Sequence, residues 1–203
     1  WKEISPTQVR FTLREGVKFS DGSPLTADDV VYSIHRAMAK TSNYAVYTQG
    51  IDKVVKVNDN TVDFMMKGPN PVLLNQLTEL RIMSKAWAEK NKSVDPKDIR
   101  TKDETFAHRN AMGTGPYMVE KFERNAFVRL KANANYWGGK PDFDTVTIKF
   151  VPDAAARVAE VESGNSHVTL EMPYEEYDRL KRETEGDTEI TGIGTLGNVI
   201  AQE

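Results

Sequence analysis

Apolar and polar side chains alternate from Val9 to Arg14, with Val9, Phe11 and Leu13 set against Arg10, Thr12 and Arg14. That period of two is the signature of a half-buried strand. Ser20, Asp21, Gly22, Ser23 and Pro24 then gather as a turn. From there the period changes to that of a helix: Ala27, Val30, Val31, Ile34, Ala37 and Met38 recur on one face, and the segment is expected to lie on a sheet. Thr26 can cap it, with Asp29 three residues on as in a capping box, and His35, Arg36 and Lys40 load its C-terminal turns. The spacing predicts a helix to about Lys40.

Ile51 to Val57 and Thr61 to Met66 flank the turn residues Asn58, Asp59 and Asn60 and read as a hairpin. Short helices are expected over Pro71 to Leu80 and Ser84 to Asn91. Lys90 to Asn110 is polar and aperiodic, a surface excursion and the best candidate linker between two subregions. After it come β-like runs at Tyr117 to Phe122, Phe127 to Ala132 and Thr145 to Val151. Asp153 can cap a helix from Ala154 to Ser163, with Gly164 where a left-handed cap is wanted. Val168 to Leu170 reads as a strand, Pro173 opens a helix to about Arg182, and Thr188 to Ile193 and Leu196 to Ala201 are β-like. The whole is mixed α and β, without internal repeats.

Composition narrows the function more than the fold. With 27 basic and 30 acidic residues among 203, the net charge is -3, and the clustered cations that phosphate binding needs are missing. No nucleic-acid partner is expected. No apolar run approaches the roughly 18 residues of a membrane span, so the chain is not expected to cross a bilayer itself. With no cysteine there are no disulfides, thiolate metal sites or cysteine nucleophiles. The chain begins at Trp1 without a recognisable targeting signal, so a signal, had one existed, would lie upstream.

The sharpest motif is Gly192-Ile193-Gly194-Thr195-Leu196-Gly197, the G-x-G-x-x-G spacing of a dinucleotide loop. Six residues follow it, too few for the helix, return strand and acidic residue that this chemistry requires, so glycines of a β turn compete with a nucleotide site. His35, His108 and His167 are scattered, with no ligand spacing between them, and no metal site is expected. No hydrolase elbow, zinc-protease helix, P-loop or EF-hand loop is present. Charge pairs such as Asp28-Asp29, Glu175-Glu176 and Lys181-Arg182 read as solvated helix faces and ends. Three residues stand out as ligand candidates. Tyr44 and Tyr47 lie three apart beyond the long helix, where they have no helical core face to serve, and tyrosines suit ligand walls; local packing under the loop is the competing reading. Arg81 interrupts an apolar run between Leu80 and Ile82, where a guanidinium can clamp a carboxylate or sit in an internal ion pair.

Phe11-Thr12-Leu13-Arg14-Glu15-Gly16-Val17-Lys18-Phe19-Ser20-Asp21-Gly22, followed by Pro24-Leu25-Thr26-Ala27-Asp28-Asp29-Val30-Val31-Tyr32-Ser33, resembles the signature of family 5 extracellular solute-binding proteins, the oligopeptide, dipeptide and nickel receptors of bacterial ABC importers. Gly113-Thr114-Gly115-Pro116-Tyr117 and Asn133-Ala134-Asn135-Tyr136-Trp137-Gly138-Gly139-Lys140-Pro141 agree with it in order. One departure is Asn165-Ser166-His167, where the family usually carries an acidic pair.

The resemblance implies a mixed α/β (α+β) fold that is part of a two-lobed receptor of the periplasmic-binding-protein type II kind. It implies that the chain is a piece of that receptor's first lobe, with the second lobe absent. Residues 1–110 would be the small extra subdomain and 111–203 the central part of the main one. It further implies a non-catalytic substrate-binding component, without cofactor, that captures a peptide or peptide-like solute in the periplasm and passes it to an inner-membrane ABC permease. In a Gram-positive source the receptor would be extracellular and membrane-tethered. Within the family, a nickel or metal-chelate receptor is the alternative. The loop of Tyr44 and Tyr47 resembles the loop that supplies side chains to the cleft, and Arg81 falls where nickel-chelate receptors place a carboxylate-binding arginine. Outside the family, a nucleotide-dependent enzyme using the Gly192–Gly197 turn, or an interaction module without a small ligand, are the competing expectations.

Overall fold

The computed structural model describes residues 1–101, 103–169, 172–183, 188–193 and 197–202. Two compact units emerge, one made of Trp1–Phe122 and Val128–Thr147, the other of Glu123–Phe127 and Ile148–Glu203. The first unit is built on the two early β runs. β1 (Lys2–Ser5), β2 (Gln8–Thr12), β3 (Ile51–Asn58) and β4 (Thr61–Met66) form an antiparallel sheet in the order β1-β2-β4-β3. The β3–β4 turn closes as expected, with the Asn60 N–H donating to Asn58 Oδ1 at 3.0 Å. β1 was not expected: its side chains are mostly exposed, so no alternation marks it.

α1 (Ala27–Met38) lies on this sheet. Ala27, Val30 and Ile34 pack with Ile51, Val54, Val62, Phe64, Met66 and Leu73 as a buried core, and Val9, Phe11 and Leu13 of the first strand pattern close against it. The helix starts as its sequence predicts. The Thr26 N–H and hydroxyl both donate to Asp29 Oδ2, at 2.9 and 3.1 Å. Asp29 itself is buried rather than solvated, because its Oδ1 also accepts the Lys85 N–H at 2.8 Å and so ties α1 to the start of a later helix. Asp28 keeps to the surface, where it and Asp59 receive Lys56 Nζ at 2.6 and 2.7 Å and hold that ammonium up to about 12. The two short helices are briefer than their sequence suggests, α2 covering Leu73–Leu77 and α3 Lys85–Lys90.

The polar stretch after α3 is strapped to α1. Tyr32 Oη donates to the Val94 carbonyl at 2.9 Å and Thr41 Oγ1 to the Pro96 carbonyl at 2.8 Å. Ser93 is fully buried and its Oγ accepts the Ala107 N–H. A three-stranded sheet follows in the order β5 (Tyr117–Glu123), β6 (Phe127–Ala132), β7 (Thr145–Lys149).

The three sequence stretches that carry the family resemblance meet in one hydrogen-bonded knot. The Ser20 N–H donates to the Gly113 carbonyl, Asn135 Nδ2 to the Ser20 carbonyl, and Asn133 Nδ2 to the Gly115 carbonyl, at 3.0, 3.2 and 2.8 Å. Gly22, at φ 88°, turns the chain beneath it. Arg14 lies over the Trp137 ring at 4.3 Å, and Trp137 faces Tyr136 at 5.2 Å. These motifs therefore hold segments about a hundred residues apart in register. Gly138 is small for a physical reason: a Cβ there would sit 2.6 Å from a Tyr136 ring carbon. Gly138→Ala is expected to turn that ring away from Trp137 and lower stability by about 1 kcal/mol, with a change in near-ultraviolet circular dichroism; an unchanged aromatic spectrum would argue against the contact.

In the second unit, α4 (Ala154–Glu162) begins on Asp153, whose Oδ1 accepts the Ala156 N–H at 2.8 Å, and ends before Gly164 at φ 73°. Its Val158 and Val161 pack with Met172 and with Tyr177 of α5 (Tyr174–Glu183). Lys149 Nζ reaches Glu160 at 2.5 Å and the Asn165 carbonyl at 2.9 Å, which ties down the Asn165-Ser166-His167 departure. β8 (Val168–Thr169), β9 (Thr188–Ile193) and β10 (Gly197–Gln202) form a sheet in the order β8-β10-β9, antiparallel throughout.

Candidate ligand-binding site

Tyr44 and Tyr47 sit on a single 3-10 turn, Ala45–Thr48, capped by Tyr44. Side chains three apart eclipse one another in that geometry, which brings the two rings to 6.3 Å between centroids, tilted by 40°. The turn is fixed at both ends. The Ser42 N–H donates to the Ala39 carbonyl at the end of α1, and Ser42 Oγ accepts the Tyr44 N–H. Thr48 is buried and its hydroxyl donates to the Ala45 carbonyl at 3.0 Å. Just beyond, Gly50 allows a close approach: a Cβ there would lie 2.7 Å from Asn70 Nδ2, which is held by Gln76. Tyr44 is half exposed and Tyr47 partly buried, so the pair presents one rim to solvent.

Arg81 follows α2 on a segment pinned from both sides. Leu80 and Ile82 pack into the core of α1 and its sheet. Met83 is clasped by Ser33, which accepts its N–H at 2.8 Å and donates to its carbonyl at 3.3 Å. With its neighbours turned inward, Arg81 is turned outward and exposed, and its Nη1 donates to the Thr78 carbonyl. Among the described residues it forms no ion pair, so the internal-pair reading of this arginine is set aside. A guanidinium held by one carbonyl keeps donors for an anion.

The structure thus brings the two tyrosines together and leaves Arg81 without a direct bond to either. α2, which leads to Arg81, packs against the 3-10 turn that carries Tyr47. Sequence reasoning missed a second feature here, a shallow depression of about 320 Å³ beside the same loop, lined by Lys40, Thr41, Ser42, Asn43, Asp98 and Arg100. Arg100 is engaged with Asp98, whose carboxyl it holds down to about 2. The depression depends on the strap meeting the end of α1, a convergence of segments more than fifty residues apart that no local pattern announces.

Among the described residues no group of three or more His, Asp or Glu side chains could hold a metal ion, and no helix is long and apolar enough to cross a membrane. Residues 194–196 of the glycine motif lie outside the described residues. The backbone from Gly197 is strand β10, paired to β9 from Gly197–Ile193 through Gln202–Thr188. A pyrophosphate loop needs a helix N-terminus at that point, so the nucleotide reading loses its structural basis.

Comparison with known proteins agrees with the knot of motifs. The chain is 32% identical over 186 residues to the dipeptide-binding protein of Escherichia coli (strain K12), a match covering 81% of this chain and 33% of that protein. It is 30% identical over 159 residues to the oligopeptide-binding protein AppA of Bacillus subtilis (strain 168), covering 75% of this chain and 28% of that one. The crystal structure of AppA from Bacillus subtilis with a nonapeptide superposes with a TM-score of 0.79 at 26% identity, over 94% of this chain and 37% of AppA. NikZ from Campylobacter jejuni, solved with Ni(L-His), shares the fold at a TM-score of 0.80 and 24% identity, over 93% of this chain and 36% of its own. The chain therefore spans about a third of the length of the relatives it matches. Residues 1–200 match the family described as bacterial extracellular solute-binding proteins, family 5 middle. Its motifs, the knot they form and this match over nearly its whole length place the chain in family 5 of the bacterial extracellular solute-binding proteins.

Proposed function

We propose that the complete protein is the substrate-binding component of a bacterial ABC transporter. It captures a peptide or peptide-like solute in the periplasm, or outside a cell that tethers it, and delivers it to an inner-membrane permease without catalysis. The observation that carries this reading is the 32% identity to a dipeptide-binding protein across 81% of the chain. In this reading residues 1–110 are the small subdomain of the first lobe and 111–203 part of its main subdomain. Tyr44 and Tyr47 form an aromatic wall and Arg81 supplies a cation for a ligand carboxylate. Contacts from a second lobe would complete the cleft. Ligand then favours closure only by the difference between its affinities for the closed and open forms, and the closed form is what the permease reads.

Thermal shift of the complete natural protein against tri-alanine, a nonapeptide and nickel-histidine tests the reading. A peptide at about a hundredfold over its Kd is expected to add about 2.7 kcal/mol of stability. Stabilisation by nickel-histidine alone would replace it with the chelate receptor, and stabilisation by none of the three would remove the transport reading. Arg81→Ala is expected to weaken tri-alanine binding about tenfold, the loss of one charge-assisted hydrogen bond to a carboxylate.

A further inference from the structure

The strap that follows α3 closes on a single 3-10 turn, Phe106–His108, with Thr105 at its cap. Hydrogen bonds fix this turn at its middle, its end and its start. In the middle the Ala107 N–H donates at 3.2 Å to the hydroxyl of the fully buried Ser93. At the end the Asn110 N–H and Nδ2 both donate to the Phe106 carbonyl, at 3.2 and 3.0 Å. At the start the Thr105 N–H donates to His108 Nδ1 at 2.9 Å, and the Thr105 hydroxyl lies 3.0 Å from the same nitrogen. The Phe106 ring, 5.7 Å from that of Trp87, lays the turn against α3.

His108 thus holds the third position of a capping box, where Glu or Gln is usual. A backbone N–H can only donate, so the nitrogen that faces it carries a lone pair and the ring's proton sits on Nε2. An imidazolium has a proton on both nitrogens and no acceptor left. Protonation therefore removes the start bond and sets two N–H groups against each other. His108 is exposed, so solvent protons reach it directly. The bonds at the middle and the end join amides and a hydroxyl, which do not titrate near neutrality. The charged groups of the elements that meet here are Asp103 before the turn, Glu104 and Arg109 paired across it at 2.9 Å, Lys85 and Glu89 paired on α3 at 4.0 Å, Lys90, and Lys92 beside Ser93. Carboxylates, ammonium groups and guanidinium groups keep their charges over the range in which an ordinary imidazole changes its own.

We infer that Thr105 and His108 form a proton-sensitive clasp on the last turn of the strap, closed at neutral pH and opened in acid. Opening frees the start of the turn and leaves the strap's first half in place, because Tyr32 and Thr41 hold that half through the Val94 and Pro96 carbonyls.

Hydrogen–deuterium exchange of the complete natural protein, read by mass spectrometry at about pH 7.5 and about pH 5.5 and corrected for the intrinsic pH dependence of amide exchange, tests the inference. Protection over 104–110 is expected to fall about threefold in acid, as for loss of a cap, while that of the β3–β4 hairpin stays constant. His108→Gln restores the usual box with an acceptor that no proton removes, and should keep its protection at both pH values. Equal protection of the wild-type segment at both, an equal loss in His108→Gln, or a loss shared by the hairpin would each overturn the clasp. A second measurement needs no variant. With isotope-labelled histidine in the complete protein, long-range proton–nitrogen spectra at neutral pH should place the His108 proton on Nε2, and a proton on Nδ1 would overturn the inference by itself.

Discussion

Phe64→Ala is expected to cost about 3–5 kcal/mol, enough to unfold much of the first unit. Phe64 is buried at the centre of β4, opposite Val9 on one side and Val54 on the other. Its ring meets the edge of Phe11 at 5.0 Å, with planes inclined by 65°. α1 packs against β3 and β4 from above. The substitution removes the ring's transfer free energy and leaves a cavity bounded by two strands and a helix, which a paired sheet cannot collapse to fill. A helix of twelve residues is marginal in water, so α1 depends on this surface for its own stability. Because the Tyr44 turn is hydrogen-bonded to the end of α1, the placement of the tyrosine pair should be lost along with the fold. Equilibrium urea unfolding of the variant and of Phe64→Leu, which keeps most of the volume and should cost about 1 kcal/mol, checks the expectation. Similar midpoints for the two variants would show that β4 is not the centre of this core.

The elements that local chemistry could announce were the ones the sequence made legible. α1 carries its period, its capping box and its basic end in thirteen consecutive residues, Thr26 to Met38, and the structure adds only that Asp29 serves a second helix. The β3–β4 hairpin is announced by its Asn-Asp-Asn turn. What stayed hidden depends on partners far along the chain. Lys2–Ser5 gains its strand from pairing with β2, not from any pattern of its own. The strap after α3 reads as a polar linker because its anchors are hydroxyl-to-carbonyl bonds from Tyr32 and Thr41, which leave no apolar period. The site divides in the same way. Two tyrosines without a helical face to serve, and an arginine inside an apolar run, were visible as misfits. The 3-10 turn that pairs the rings needed α1 and α2 to be placed against it.

Asp63 is the misfit that the strand pattern did not flag, since a polar residue in β4 reads as a solvent-facing one. It is buried, and its carboxylate receives Arg10 Nε and Nη2, both at 2.7 Å, and Gln8 Nε2 at 2.9 Å. Arg10 is its direct cross-strand neighbour on β2, which makes the pair a clamp across the middle of the sheet. Asp63→Ala leaves three donor groups, two of Arg10 and one of Gln8, facing a void where a charge stood, and with Arg10 still 40% exposed and partly rehydrated the expected loss is about 2 kcal/mol at pH 7. The pH dependence gives the result its signature. The hydrogen bonds from Arg10 first, against burial, hold the Asp63 carboxyl below its usual range in the native state. A carboxyl depressed on folding stabilises fully above its unfolded value, about 3.9, and that contribution disappears as the pH falls through the lower native value. The stability gap between wild type and Asp63→Ala should therefore hold from pH 7 to about 5 and shrink below about 4. Adding Arg10→Met should recover part of the loss, because a pair removed together leaves no guanidinium unpartnered. A gap that stays constant down to pH 2.5 would mean that packing around Asp63, and not its charge, holds β2 to β4.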